Sequence, residues 1–284
     1  MTDDRLPPLR DVIAEFDLGA KKALGQHFLL DLNLTRKIAR AASVCADDVV
    51  IEVGPGPGGL TRALLEAGAE VIAVERDARC IAALQEVGNA YPNRLTVLED
   101  DALRIDERHL AGGRPVKIIA NLPYNISTEL LIKWLRANHG AFSPLWTRMA
   151  LMFQKEVADR ILSAPGSKSY GRLSVIAQTA SQPVRAFDLP ARAFTPPPKV
   201  DSTVVVFNRI ATALEDIKAL ESVTQAAFGQ RRKMLRSSLK SLFGERVADA
   251  LQSAGIDETA RAEELTLDRF KALAHFYSGL KSPR

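Results

Sequence analysis

The sequence predicts an α/β protein: a Rossmann-like, doubly wound sheet followed by a small domain built only of helices. Three observations predict it. Short apolar, β-branched runs alternate with segments of helical spacing through the first two thirds of the chain. A glycine-rich stretch, "VGPGPGGL", stands where the first such run gives way to a helix. After about residue 210 no strand-like run remains.

The elements follow in order. "DVVIEV" (48–53) is the first strand, and "GGLTRALLEAG" (58–68) is a helix that stops on Gly68. "EVIAVE" (70–75) is a second buried strand and "ARCIAALQEVGNA" (78–90) a second helix. "RLTVLED" (94–100) and "VKIIA" (116–120) continue the series of strands. "STELLIKWLRANHG" (127–140) opens on a serine cap and closes on glycine. "RMALMFQ" (148–154) and "KEVADRILSA" (155–164) add a strand and a helix. The three consecutive prolines of "FTPPPKVDSTVVVFNRI" (194–210) stiffen an extended lead into the last strand. From about residue 211 every segment has helical spacing. The predicted division is therefore 1–210, including an N-terminal segment 1–30, and 211–284.

The chain has 284 residues, 46% hydrophobic and 25% charged, with a formal net charge of +4. That suits a globular protein with one large and one small domain, and a polyanionic partner only where the positive charge is clustered. Cys45 and Cys80 lack metal-like or redox-like spacing, and the four histidines are scattered, so no metal is expected. No apolar run resembles a signal peptide or spans a bilayer. The expectation is a cytoplasmic protein.

Glycine in the turn after the first strand permits positive φ and lets a ligand approach the backbone. Gly54, Gly56 and Gly59 satisfy G-x-G-x-x-G, and Glu75 ends the second strand 21 residues after Gly54. An acid there can hold the ribose hydroxyls of a nicotinamide or an S-adenosyl cofactor. A tight βα turn with a surface glutamate would produce the same letters. Glu52, two residues before Gly54, favours the S-adenosyl cofactor, because an acid suits a cationic amino-acid end and repels a pyrophosphate. Asp101, after the third strand, can accept from an adenine amino group; Asp100 is its rival, and a plain cap for the next segment is the alternative.

"IIANLPYNIST" (118–128) ends a buried strand in an amide, a rigid turn and an aromatic ring. Strand ends at this edge of a doubly wound sheet form the ligand crevice. A nucleobase with an exocyclic amino group matches the set. The Asn121 side-chain oxygen and the Leu122 carbonyl can accept its N–H bonds and stabilise the charge that develops when the nitrogen attacks. Pro123 sets the turn, and Tyr124 offers a stacking face worth about 1–3 kcal/mol.

The sequence resembles the ribosomal RNA adenine dimethyltransferases, and within them the bacterial small-subunit branch. The resemblance spans almost the whole chain. It rests on "GQHFL", "EVGPGPGGLT", "NLPYNIST", "QKEVADR", "YGRLSV", "FTPPPKVDSTVV" and "FGQRRKMLRSSL", in that order. It implies a class I methyltransferase sheet and S-adenosylmethionine as cofactor, contacted by Leu29, Gly54, Glu75, Asp101 and Asn121. It further implies that Tyr124 and Phe194 flank the target adenine, although Phe194 by itself reads as a core aromatic. Where the family commonly has Gly-Gln-Asn-Phe-Leu, this chain has His27. The expected contact from that position to the cofactor then comes from histidine or from backbone.

The implied reaction is N6,N6-dimethylation of two adjacent adenosines in the 3′-terminal hairpin loop of 16S ribosomal RNA, within the immature small subunit. "QRRKMLRSSLKSL" fits a basic helix. Arg231, Arg232, Lys233, Arg236 and Lys240 face phosphates, and Met234, Leu235, Leu239 and Leu242 form a core-facing stripe. Over residues 211–284 there are 12 Lys and Arg against 10 Asp and Glu, so only this local cluster is informative. No dimerisation seam is evident, and a monomer is expected. Three rivals are a large-subunit dimethylase of the macrolide-resistance type, an assembly factor without chemistry, and a nicotinamide oxidoreductase. The last explains neither "NLPY" nor the basic cluster.

Overall fold

The computed structural model describes residues 6–19, 26–138, 144–210, 216–230 and 232–281. In chain order the elements are α1 (Leu9–Glu15), β1 (Phe28–Leu29), α2 (Leu32–Ala41), β2 (Val49–Val53), α3 (Gly59–Glu66), β3 (Glu70–Glu75), α4 (Ala78–Ala90), β4 (Leu95–Glu99), α5 (Glu107–Leu110), β5 (Val116–Ala120) and α6 (Ser127–Ala137). They continue with β6 (Trp146–Gln154), α7 (Lys155–Leu162), α8 (Arg172–Ala180), β7 (Gln182–Leu189), β8 (Phe194–Thr195) and β9 (Ser202–Asn208). The remaining helices are α9 (Ile217–Gly229), α10 (Leu235–Ser238), α11 (Lys240–Phe243), α12 (Val247–Ser253) and α13 (Leu267–Lys281).

Seven strands form the main sheet in the order β4-β3-β2-β5-β6-β9-β7. Strands β4 to β6 run parallel, and β9 pairs antiparallel with β6. The continuous apolar runs are explained by this arrangement: every residue of β2 is buried, as expected for a parallel strand covered on both faces. The strand order reverses at β2 and β5, so the crevice of a doubly wound sheet opens at their carboxyl ends. A second, two-stranded sheet pairs β1 antiparallel with β8. Among the described residues no helix is long and apolar enough to cross a membrane.

The chain divides into two compact units. One comprises Met1–Trp134, Ser143–Lys155 and Val184–Asn208; the other comprises Leu135–Phe142, Glu156–Pro183 and Arg209–Arg284. This differs from a single boundary near residue 210, because α7 and α8 group with the C-terminal helices. The physical reason is an aromatic and polar tie. Phe228 on α9 stacks with Phe270 on α13, with centroids 5.6 Å apart, and meets Tyr170 edge-on at 6.1 Å. The Tyr170 hydroxyl donates to the Leu265 carbonyl at 3.0 Å, and Arg136 forms a bidentate pair with Glu221, both bonds 2.8 Å. Those contacts link residues far apart in sequence.

The "QRRKMLRSSLKSL" stretch is not one helix. After α9 ends at Gly229, Met234 adopts an extended conformation (ψ 150°). The Leu235 N–H donates to the Ala260 carbonyl at 2.9 Å, a tertiary bond in place of an i−4 helical one. Two short helices, α10 and α11, follow. Leu235 and Leu239 are fully buried as expected, but Met234 is 41% exposed and lies outside the core stripe. Arg232, Lys233, Arg236 and Lys240 are exposed, while Arg231 lies outside the described residues. Arg236 approaches Glu258 at 3.9 Å with both side chains more than half exposed, a pair worth little in water.

Candidate active site

The carboxyl ends of β2, β3, β4 and β5 surround a cavity of about 1100 Å³, counting the solvent at its mouth. The turn after β2 makes its floor. Gly54 and Gly56 have φ of +69° and +55°, which side chains rarely adopt. A Cβ on Gly56 would also strike the Phe28 ring at 2.9 Å. His27, Leu29, Gly54, Gly56, Glu75, Asp101, Asn121, Leu122, Pro123 and Tyr124 all line this one cavity. Residues spread over about a hundred positions of sequence are thus gathered by the sheet.

Glu75 is 7% exposed and is held by backbone amides. Gly56 N–H donates to Oε2 at 3.1 Å, and Arg76 and Asp77 N–H donate to Oε1 at 2.8 and 2.9 Å. Oε1 is saturated, and Oε2 keeps one acceptor position for a ligand. Burial raises the Glu75 pKa above the usual carboxylate range, opposed by these amides.

Glu52 is 1% exposed and accepts from the Thr61 hydroxyl at 2.7 Å. Burial, with the neighbouring Glu75 adding to it, pushes its carboxyl up to about 8. Between about pH 4, the ordinary range for Glu, and pH 8 the folded protein therefore binds a proton that the unfolded chain has released. Its contribution to stability is full below the lower limit and declines as pH rises toward 8. Glu52→Gln should flatten the pH dependence of urea unfolding by up to about 1.4 kcal/mol per pH unit across this window. An unchanged slope would show that Glu52 is already ionised in the folded protein.

Asp77 and Gln26 anchor the segment that carries β1. Gln26 Nε2 donates to Asp77 at 3.2 Å, and Arg79 pairs with Asp77 at 2.7 Å while reaching the carbonyls of Asp17 and Gly19. The Arg79 hydrogen bonds hold the Asp77 carboxyl down at about 2. Neither Gln26 nor Asp77 stood out in the sequence, because nothing local marks an acid at a helix N-cap as a tether for a segment more than fifty positions away.

Asp101 has a double engagement. One oxygen accepts from Leu103 N–H at 3.0 Å, which is the capping alternative, and the other approaches Arg76 at 3.4 Å. Asp100 is exposed and its Oδ1 accepts from Asp101 N–H at 2.6 Å. Both line the cavity.

Asn121 is oriented by its neighbour across the chain. Its Nδ2 donates to the His27 carbonyl at 2.8 Å. A carbonyl can only accept, so the amide nitrogen faces His27 and Oδ1 is presented elsewhere as an acceptor. Tyr124 is half-buried; its hydroxyl shares a hydrogen bond of 2.7 Å with Ser202, and burial raises its pKa above the usual phenol range. The His27 ring stacks on Tyr124, centroids 5.5 Å apart and planes at 29°.

Phe194 is not in this cavity. It is 2% exposed, lies opposite Leu29 in the β1–β8 pair, and joins a hydrophobic cluster with Leu189, Val204 and Met152. Its ring packs here as a core aromatic.

Residues 18–278 match the family described as ribosomal RNA adenine dimethylase. The chain belongs to the ribosomal RNA adenine dimethylase family. Among its relatives, the ribosomal RNA small subunit methyltransferase A of Rhizobium meliloti (strain 1021) is 57% identical over 274 residues, covering 96% of this chain and 98% of that protein. The protein of the same name from Phenylobacterium zucineum (strain HLK1) is 58% identical, covering 96% of this chain and 94% of the relative. Of solved structures, a dimethyladenosine transferase from Plasmodium falciparum has a TM-score of 0.74 at 25% identity, covering 89% of this chain and 98% of that one. The 23S rRNA methyltransferase ErmE has a TM-score of 0.65 at 26% identity, covering 88% and 99%. The small-subunit branch named by the close relatives agrees with the "NLPY" and "FTPPPKVDS" blocks of this dimethylase. The seven-stranded sheet is the class I methyltransferase fold shared with these neighbours.

Proposed function

We infer that this protein dimethylates N6 of two adjacent adenosines in the 3′-terminal hairpin loop of 16S ribosomal RNA, in the cytoplasm, as a monomer acting on the immature small subunit. The observation that carries this reading is the orientation of Asn121, a residue of the cavity wall whose amide nitrogen is engaged by the His27 carbonyl, so that its oxygen is the atom it can offer as an acceptor.

The cavity's donor set fits S-adenosylmethionine. Glu52, once ionised, suits a cationic amino-acid end, Glu75 a ribose hydroxyl, and Asp101 or Asp100 an adenine amino group; Leu29, Gly54, Gly56 and His27 supply wall and backbone. When bound, S-adenosylmethionine supplies an activated methyl group. The chain's own residues do the rest. The Asn121 oxygen and the Leu122 carbonyl accept hydrogen bonds from the two N6–H groups and stabilise the positive charge that builds on N6, which then releases one proton to solvent. Pro123 sets the turn and offers no competing N–H. Tyr124 stacks on the base, which a loop adenine can reach once it is unstacked. A monomethylated adenine still has one N–H to offer, so a second transfer is open to it.

The test is methylation of immature small subunits, naked ribosomal RNA and DNA, followed by nucleoside analysis. N6,N6-dimethyladenosine should dominate at completion on the particle. Monomethyladenosine as the only end product, or equal activity on DNA, would reject the reading.

The exposed Arg232, Lys233, Arg236 and Lys240, together with Arg231, supply the phosphate contacts. Replacing Arg231, Arg232 and Lys233 by alanine should weaken RNA binding and reduce the slope of log affinity against log salt by up to about 2–3. A filter-binding titration over salt checks this; an unaltered slope returns the cluster to ordinary solvated surface.

A further inference from the structure

We propose that His27 and Ser202 are positioning residues for the Tyr124 ring, and that the segment from Pro196 to Ser202 serves the site by holding this ring. The inference rests on the reading that Tyr124 stacks the target adenine.

The geometry is a cradle with two attachments. At its tip, the Tyr124 hydroxyl is bonded to Ser202 at 2.7 Å. Ser202 is fully buried as the first residue of β9, opposite Gln154 in the antiparallel pair with β6. It therefore offers a partner fixed to the sheet. On its face, the ring stacks with His27. The His27 ring is itself tethered: Nδ1 lies 2.8 Å from the Pro196 carbonyl, so Nδ1 carries the hydrogen. Its own backbone carbonyl meanwhile orients Asn121. One residue thus sets both the acceptor and the stacking ring.

With a 5.5 Å centroid separation, His27 occupies one face of Tyr124, and no base fits between the two rings. The adenine stacks on the opposite face. A tyrosine held at tip and face has little freedom about its two side-chain torsions, and that pre-organisation is what a stacking platform needs.

The probes are a short RNA hairpin with 2-aminopurine at the target position, whose fluorescence reports stacking, and the same hairpin with adenine there, whose methylation gives the steady-state kinetics. Tyr124→Ala should abolish the fluorescence response. Ser202→Ala and Tyr124→Phe should each weaken it and raise the RNA KM about tenfold, roughly the effect of one lost hydrogen bond. The double variant should do no more than either single one, and Ser202→Thr should restore most of the loss. His27→Ala should resemble Ser202→Ala, while His27→Phe, which keeps a stacking ring, should recover much of it. Calorimetry should show S-adenosylmethionine affinity unchanged in the Ser202 variants. If Ser202→Ala and His27→Ala lower Tm but leave KM and fluorescence as in the wild type, the contacts only stabilise the fold and the inference fails. If Tyr124→Ala itself leaves the fluorescence response intact, the stacking reading fails and takes the inference with it.

Discussion

Asn121→Ala should reduce methyl transfer at saturating S-adenosylmethionine by about 10²–10³-fold, the usual cost of losing one group that stabilises developing charge. Cofactor affinity should change far less. The acceptor is needed most when charge appears on N6, so its loss falls on turnover rather than on ground-state binding. Orientation matters as much as chemistry. Asn121→Asp keeps an acceptor but sets a carboxylate oxygen against the His27 carbonyl in place of the present N–H donor. It should therefore fail as well, despite its near-identical shape. Single-turnover transfer of labelled methyl separates the two steps. A turnover near that of wild type in Asn121→Ala would remove this acceptor from the mechanism.

Glu75→Ala should lower S-adenosylmethionine affinity by about 10²-fold, a loss of roughly 2.7 kcal/mol. It should also destabilise the ligand-free protein by about 2–3 kcal/mol, since the amides of Gly56, Arg76 and Asp77 all lose their partner. The two losses separate in Glu75→Gln, whose carbonyl oxygen can still accept from Arg76 and Asp77. Its fold should be largely restored and its affinity only in part. Titration calorimetry and urea unfolding measure the two quantities. Unchanged affinity in a folded Glu75→Ala would place the ribose elsewhere.

Much of the site was legible because chemistry and spacing coincide there. Glycines at Gly54 and Gly56 can be read from the letters, since positive φ and a close approach to Phe28 exclude other residues. Glu75 was legible by its place at a strand end. The state of Glu52 was not: its acidity is set by burial under Thr61 and beside Glu75, and a sequence carries no burial for a single acid. Ser202 was missed for a similar reason. A serine opening an apolar strand has no local signal until its hydroxyl is seen to meet Tyr124, 78 positions away. The basic stretch 230–242 misled because helical spacing was present, yet a tertiary bond from Leu235 to Ala260 broke the helix.

By itself the sequence determined six of the seven strands of the main sheet. The apolar runs 70–75 and 116–120 coincide with β3 and β5, and 48–53, 94–100 and 148–154 differ from β2, β4 and β6 only at their ends. A parallel strand buried on both faces must be apolar throughout, and that constraint is local. The short β1–β8 pair, the strand β7 and the helix α8 carry no such run, and only the tertiary structure revealed them. It also decided that Phe194 turns into the core, that α7 and α8 group with the C-terminal helices, and which atom of Asn121 is presented. Each depends on partners distant in the chain: His27 lies 94 positions from Asn121 and 169 from Pro196. Periodicity reports which face of an element is buried, whereas a hydrogen bond between distant segments exists only once the sheet has brought them together.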